Sequence, residues 1–135
     1  MGFYEDRILP RVVNRVMDSP AMGKLRTRTA APLHGEVVEI GFGSGLTLPF
    51  YPEAVEHVHA IDPALLGREL AAERIAASAI PVTFAGTDGQ TLDLPDDSMD
   101  GALCNWTLCT IPDAAQALGE ILRVLKPGAS LRFVE

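Results

Sequence analysis

The chain has 135 residues, of which 47% are hydrophobic and 21% are charged, and its formal net charge is −7. This composition is typical of soluble globular domains and excludes a wholly disordered chain, because enough apolar side chains are present to offset the entropy lost on ordering. The acidic balance disfavours a nucleic-acid-binding protein, and no stretch approaches the roughly 20 apolar residues of a membrane-spanning helix.

The N-terminal residues lack the basic and then apolar order of a signal peptide. The two cysteines, Cys104 and Cys109, are too few for a disulfide framework. We therefore expect a cytoplasmic protein. We also expect both cysteines to be small buried hydrophobic residues rather than nucleophiles.

Within a single predicted domain, residues 1–34 form a predicted helical arm and residues 35–135 a predicted core. The arm has six Lys and Arg against three Asp and Glu (net +3), and the core has five against fifteen (net −10). Helical spacing predicts a helix over 3–17, with Arg7, Arg11 and Arg15 on one face. This face is either a solvated surface packed on an acidic neighbour or a lid that attracts an anionic substrate or a membrane surface.

Beyond the arm, short apolar runs predict strands over 35–40, 57–61, 82–85, 101–106 and 131–134. Helices are predicted between the second and third strands and between the fourth and fifth. Asp62 is expected to be the N-cap of the first helix, with Pro63 in its first turn. Asp113 and Gln116 form a capping-box pattern for the second helix, which residues 126–128 should end.

The alternation of strands and helices predicts an α/β fold with a Rossmann-like, doubly wound parallel sheet and helices on both faces. The first strand runs directly into the glycine-rich loop 41–45. Ligands of such sheets bind beyond the carboxyl ends of the strands, where glycine permits close approach of the backbone. Asp62 follows Gly41 by 21 residues, at the end of the next strand, where a carboxylate can accept both hydroxyls of a ribose.

The spacing in the loop distinguishes two classes of cofactor. A dinucleotide fingerprint is G-x-G-x-x-G, whereas Gly41, Gly43 and Gly45 alternate here and Leu46 occupies the third glycine position. Glu39, two residues before the loop, would repel a pyrophosphate and favour an ammonium group. The pattern therefore favours an adenosyl ligand that carries an amino acid. A nicotinamide-dependent oxidoreductase is the less favoured alternative.

Residues 36–135 resemble the class I S-adenosylmethionine (SAM)-dependent methyltransferases. Four segments carry the resemblance, in the family's order and at its usual spacings: VVEIGFGSGLTLPFYP, HVHAIDP, TDGQTLDLPDDSMDGALCNWTL and EILRVLKPGASLRFVE. The chain is most similar to the ubiquinone/menaquinone C-methyltransferase-like branch, methyltransferase type 11. It also resembles small thiol methyltransferases and bacterial phospholipid N-methyltransferases.

This resemblance implies SAM as the cofactor and S-adenosylhomocysteine as its product. Ten positions match the family's cofactor-binding residues: Glu39, Gly41, Phe42, Gly43, Asp62, Pro63, Asp88, Gly89, Asn105 and Trp106. The first four would hold the methionine end, and Asp62 would take the ribose hydroxyls. Pro63, Asp88 and Gly89 would surround the adenine, and the last two would lie between the methionine end and the acceptor.

The implied reaction moves a methyl group to a small-molecule or lipid-like acceptor by in-line displacement, with the protein mainly orienting the acceptor and excluding water. No catalytic base is evident, so the catalytic residues are unknown. Tyr4 on the arm is a candidate to close over the acceptor. His57 and His59 should share one face of the second strand with no third ligand nearby, and we expect no metal site.

In the family, two further strands follow the fifth strand and complete the sheet. We therefore expect residues 131–134 to lie at an exposed sheet edge, where pairing with a second copy of the chain would give a homo-oligomer. The alternative to an active enzyme is a cofactor-binding domain or fragment that lacks activity of its own.

Overall fold

The computed structural model describes residues 8–135, and its elements confirm the predicted alternation of strands and helices. The helices are α1 (Leu9–Met17), α2 (Pro20–Ala30), α3 (Leu65–Ala77) and α4 (Ala114–Val124). The strands are β1 (Gly35–Ile40), β2 (Val55–Ile61), β3 (Val82–Gly86), β4 (Met99–Asn105) and β5 (Leu125–Val134). Tyr4 and Arg7 lie outside the described residues.

All five strands pair in parallel, in the order β3-β2-β1-β4-β5, with a hydrophobic core on each face. Val37 of β1 lies in the core that contains Ala30 of α2 and Ala71 of α3. Its neighbour Val38 lies in the opposite core, which contains Ile121 of α4. Successive residues of a strand point to opposite faces, so β1 is apolar on both sides. The predicted doubly wound sheet is confirmed.

The predicted start of α3 is wrong. This helix begins at Leu65 with Ala64 as its N-cap residue, so Asp62 does not cap it and Pro63 precedes it. One oxygen of the Asp62 carboxylate accepts the Ala64 N–H (2.7 Å), and the other accepts the Gly43 N–H (2.9 Å). The Asp side chain therefore forms a turn with its own backbone and fastens a distant loop, instead of binding the first turn of the helix.

The predicted cap of α4 is half correct. Asp113 accepts the Gln116 N–H (3.0 Å), as a capping box requires. The Gln116 side chain does not accept the Asp113 N–H in return, because its amide donates to the Gln90 carbonyl (2.8 Å). The Gln90 side chain accepts the Asp113 N–H in its place (2.7 Å). The helix ends at Val124, and residues 126–128 lie within β5, where a shift in pairing register accommodates them.

Strand β5 lies at one end of the described sheet and pairs there with β4. Its apolar residue Phe133 is 58% exposed. Arg132 donates to the carbonyl of Thr29 (3.1 Å), which fastens β5 to the end of α2. Among residues 8–135, no helix has the length and apolar character needed to cross a membrane.

Both cysteines are free, and only one fits the prediction of burial. Cys104 is buried, which raises the pKa of its thiol to about 12. Cys109 is exposed, and a hydrogen bond to Glu135 raises its pKa above the usual range. Neither thiol is a thiolate at neutral pH, so neither is an activated nucleophile.

Candidate functional site

Two adjoining cavities open at the carboxyl ends of the central strands. The glycine-loop cavity, about 530 Å³, lies between loop 41–46, α1, α3 and the end of β4. The Asp88 cavity, about 450 Å³, lies between the ends of β1 and β2 and the segments 87–90 and 110–112. Gly41, Asp62 and Thr107 line both cavities. The two cavities therefore meet where an open α/β sheet binds its ligands.

Nine of the ten predicted cofactor residues line one or both cavities. Those of the glycine-loop cavity are Gly41, Phe42, Gly43, Asp62, Asn105 and Trp106. Those of the Asp88 cavity are Gly41, Asp62, Pro63, Asp88 and Gly89. Glu39 is the exception, since it lines neither cavity. Residues separated by more than 60 positions in sequence thus surround one continuous space.

Asp62 stands at the junction of the two cavities with part of its acceptor capacity unused. Each carboxylate oxygen accepts one backbone N–H, from Gly43 and from Ala64. A carboxylate has about four lone-pair sites, so both oxygens can accept a further hydrogen bond. The same side chain can hold the loop and bind a pair of ligand hydroxyls.

The glycine loop directs its first N–H groups into the protein. Gly41 and Phe42 both donate to the Ile61 carbonyl (2.8 and 3.2 Å), and Gly43 donates to Asp62. Gly41 has φ +77°, and a Cβ there would collide with the Thr107 hydroxyl. Only glycine fits this position without strain. Because these three N–H groups are already paired, they are not available to bind a phosphate as the loop of a dinucleotide site does.

Asn105, the last residue of β4, lines the glycine-loop cavity and has an unpaired side-chain amide. Its side-chain nitrogen and oxygen are buried, and neither has a hydrogen-bond partner among the described residues. The next residue, Trp106, has φ +51°, a strained conformation for a residue with a side chain. Buried amides are almost always paired in native proteins, so this one indicates a missing ligand or water.

Arg26 of α2 is a site residue that the sequence analysis missed. It lines the glycine-loop cavity although it is only 6% exposed. Its guanidinium lies 4.9 Å from the centre of the Trp106 ring and donates to the Thr47 hydroxyl (3.1 Å). In the sequence it is one of six basic residues of the arm, and no spacing distinguishes it from the others. Burial lowers its pKa, and the charge of Glu39 opposes that shift.

Glu39 lies behind the cavity wall rather than in it. It is 3% exposed and accepts a hydrogen bond from the Tyr51 hydroxyl (2.8 Å). Burial raises its pKa to about 7, while the Tyr51 bond, the charge of Arg26 and a bond from Thr47 lower it. Glu39 thus belongs to a buried polar network that reaches the cavity through Arg26.

Helix α1 covers one side of the glycine-loop cavity. Val13, Asn14 and Met17 line that cavity, and the Ser44 hydroxyl is hydrogen-bonded to the Asn14 side chain. Arg74 of α3 extends this contact, since it donates to the Ser44 carbonyl (3.1 Å). The outer face of α1 carries Arg11 and Arg15, both exposed.

Of the described residues that line the two cavities, those with ionisable side chains are Arg26, Asp62 and Asp88. Asp88 is exposed, and it accepts the Gln90 N–H (2.8 Å) in a local turn. No histidine or cysteine is among these lining residues. Within the described part of the chain, the carboxylates on the cavity walls are Asp62 and Asp88, and both are among the predicted cofactor residues.

His57 and His59 lie outside these cavities and share one face of β2, as predicted, with ring centres 4.2 Å apart. The expectation that no third ligand lies near them is wrong. Glu36 of β1 is paired with His57 in the sheet, and its carboxylate lies 2.6 Å from Nε2 of His59.

Residues 38–133 match the family described as "Methyltransferase domain". The chain belongs to this methyltransferase family. The match spans most of the chain and confirms the predicted family. The SAM-dependent character of the family implies that SAM is the cofactor of its members.

Individual relatives support the same family. The chain is 31% identical to the human thiol S-methyltransferase TMT1B over 98% of its length, and 28% identical to a phosphatidylethanolamine N-methyltransferase of Cereibacter sphaeroides over 89%. It spans 56% and 59% of these two relatives. A solved SAM-dependent methyltransferase of Thermotoga maritima, described as a possible histamine N-methyltransferase, is 28% identical with a TM-score of 0.65. That match covers 92% of this chain and 58% of the other.

Two helical glycines make a matched test of how closely α3 approaches the loop. In Gly67→Ala the new Cβ would lie 2.8 Å from the Gly43 carbonyl oxygen, whereas in Gly119→Ala of α4 it would meet nothing within 4 Å. We expect Gly119→Ala to stabilise the protein by up to about 1 kcal/mol, because alanine favours helix. We expect Gly67→Ala to lower the free energy of unfolding, measured in urea, since the loop must move. Equal effects of the two substitutions would contradict this close contact.

The buried carboxyl of Glu39 predicts a pH-dependent stability. The folded pKa is about 7 and the ordinary value is 4.5, so between these pH values the folded state binds more protons than the unfolded state. The free energy of unfolding should therefore fall as pH rises from 4.5 to 7, by an amount on the order of 1–3 kcal/mol. Glu39→Gln should remove this fall, measured by urea unfolding across that range. Glu69→Gln, an exposed control on α3, should keep the wild-type profile.

Proposed function

We propose that this chain is a SAM-dependent methyltransferase that transfers a methyl group to a small-molecule or lipid-like acceptor. One observation carries the proposal: Asn105, whose buried amide is unpaired, lines a cavity that joins a second cavity at Asp62. An elongated ligand with polar groups along its length would fill both cavities. The family membership supports SAM as that ligand.

The chain's own residues suit the three parts of such a ligand. In this proposal Asp62 accepts the ribose hydroxyls with its unused lone pairs, and the adenine lies in the Asp88 cavity. Asn105 offers a donor and an acceptor to the amino-acid end in the other cavity. Arg26, the cation on that cavity's wall, attracts the ligand carboxylate.

Glu39 has a different role here from the direct contact that the sequence suggested. Its carboxylate is buried behind the wall and acts on the ligand through Arg26, whose charge it balances. It is therefore a positioning residue in this proposal. Tyr51 and Thr47 fix it by hydrogen bonds, which keeps the guanidinium at the cavity wall.

When bound, SAM would supply an electrophilic methyl group on a positively charged sulfur, with S-adenosylhomocysteine as the product. The residues around the cavities have the simpler tasks of orienting the acceptor and excluding water. Trp106 and helix α1 flank the space next to the methionine end. The acceptor would enter from that side.

Helix α1 also supports a particular kind of acceptor. Its N-cap residue Ile8 is exposed, and so are four of its apolar residues, Leu9, Val12, Val13 and Val16. Arg11 and Arg15 lie on the same short helix and are exposed as well. A helix with apolar and basic residues at its surface suits contact with an anionic lipid surface or an amphipathic acceptor. We propose that the arm is a lid that brings such an acceptor to the cavity.

A second candidate function is a domain that binds the cofactor without turnover. Two observations favour it: the chain spans just over half of its curated relatives, and the described cavity walls contain no histidine, no cysteine and no carboxylate beyond Asp62 and Asp88, which this proposal assigns to the cofactor. A nicotinamide-dependent oxidoreductase is disfavoured, because the N–H groups of Gly41, Phe42 and Gly43 are already paired within the protein.

Cofactor binding is tested by isothermal titration calorimetry with S-adenosylhomocysteine. Asp62→Asn and Asn105→Ala should each weaken binding by about 1–3 kcal/mol, or roughly 5- to 150-fold, because each removes hydrogen bonds to the ligand. Glu73→Gln, an exposed carboxyl on α3, should leave the affinity unchanged. An undiminished affinity in both site variants would exclude these cavities as the binding site.

Turnover is tested with radiolabelled SAM and three classes of acceptor: a small thiol, a reduced quinone and phosphatidylethanolamine in anionic vesicles. Methyl incorporation into any one acceptor would support the enzyme. Binding of SAM without incorporation would favour the domain that lacks activity of its own. Failure to bind SAM or S-adenosylhomocysteine at high micromolar concentration would contradict both candidate functions.

A further inference from the structure

Two histidines and a glutamate form a compact cluster away from the candidate cofactor site. Glu36 is the second residue of β1, and His57 and His59 lie on β2. The parallel register places Glu36 beside His57, and His59 is on the same face two residues later. Oε2 of Glu36 lies 3.2 Å from Nδ1 of His57 and 2.6 Å from Nε2 of His59. The cluster is thus near the start of β1, whereas the glycine loop follows its end.

The surroundings fix the backbone of Glu36 and the ring of His57. The Glu36 N–H donates to the Asp100 carboxylate (2.8 Å), which fixes the start of β1. Nε2 of His57 lies 2.8 Å from the Thr83 hydroxyl on β3. The nearby ammonium of Lys126 is paired with Asp100 (2.8 Å), so the Glu36 carboxylate is not the main partner of that cation. These contacts leave the histidine and glutamate ligand atoms directed at one another.

We propose that Glu36, His57 and His59 bind one divalent transition-metal ion, with Zn²⁺ as the best fit. Two imidazoles and one carboxylate are a ligand set that suits Zn²⁺, whereas Mg²⁺ and Ca²⁺ prefer oxygen ligands alone. One ligand atom from each residue lies within 4.8 Å of the others. Nothing in the candidate methyltransferase function requires this ion.

The distances suit a tetrahedral site after a small movement. Metal–ligand bonds of about 2.0–2.1 Å place tetrahedral ligand atoms about 3.3 Å apart. The Glu36–His57 distance is already 3.2 Å, and the 2.6 Å contact to His59 must lengthen by less than 1 Å. The Glu36 side chain is 40% exposed, so its carboxylate has space on the solvent side to make this movement. The same exposure leaves room for a water molecule as the fourth ligand.

Thr83 completes the arrangement as an outer partner. Metal-bound histidines usually donate their second ring N–H to a neighbouring oxygen, which orients the ring. If Nε2 of His57 donates to the Thr83 hydroxyl, its Nδ1 lone pair faces Glu36, where the ion would lie. The ion would then link β1 and β2 and stabilise the folded protein by binding it in preference to the unfolded chain.

The test uses the full chain without a histidine tag and Zn²⁺ as the probe, titrated in a calorimeter against a weak competing chelator. One ion should bind per chain, and the unfolding temperature should rise with Zn²⁺ concentration. Thr83→Val removes the outer partner of His57 and should weaken Zn²⁺ binding by roughly 10–100-fold. Glu36→Gln and His59→Ala each remove a direct ligand and should weaken Zn²⁺ binding by more than that. His34→Ala removes the third, exposed histidine of the chain and should leave the affinity unchanged.

The unmodified protein gives a second measurement that does not depend on how the variants fold. On addition of one equivalent of Zn²⁺, the NMR signals of the His57 and His59 rings should shift while those of His34 stay in place. The proposal is overturned by absent binding, by equal affinity in Glu36→Gln and His59→Ala, or by ring signals that do not move. S-adenosylhomocysteine affinity should be the same with and without Zn²⁺, so this result is separate from the outcome for the cofactor site.

Discussion

The carboxylate of Asp62 is the interaction on which the candidate site depends. It joins the end of β2 to the glycine loop through the Gly43 N–H and to the start of α3 through the Ala64 N–H. Its own N–H donates to the Gly86 carbonyl at the end of β3 (3.2 Å), so the same residue also joins two strand ends. Loop, helix and sheet therefore take their relative positions from one side chain, and the two cavities meet beside it.

Much of the fold could be predicted from the sequence, because parallel strands covered on both faces read as short apolar runs. The strand at 35–40 and the glycine loop after it are correctly predicted for this reason. The role of Asp62 could not be read in the same way. An N-cap and a turn formed by an aspartate look alike in sequence, and the choice here depends on the Gly43 N–H, which lies 19 residues away.

For the functional residues too, the sequence predicts which side chains share a strand face, but not which side chains of other elements lie beside them. Spacing alone places His57 and His59 on one face of a strand, but their nearness to Glu36 follows from the register between β1 and β2. The register of two paired strands depends on how both bury their apolar residues, and neither segment shows this alone. Spacing also indicates an acidic residue before the loop, yet it does not show that Glu39 is buried behind Arg26.

Arg26 has a consequence for how the chain divides into parts. The sequence places a boundary at residue 34, but Arg26 reaches across it to Trp106 and Thr47. It is the only cation among the described residues that line the glycine-loop cavity. A core that began at residue 35 would keep the loop and Asp62. Its cavity wall would lose its positive charge, and Glu39 would lose the nearby cation that favours its ionised form. The arm and the core are therefore two segments of sequence that build one electrostatic unit.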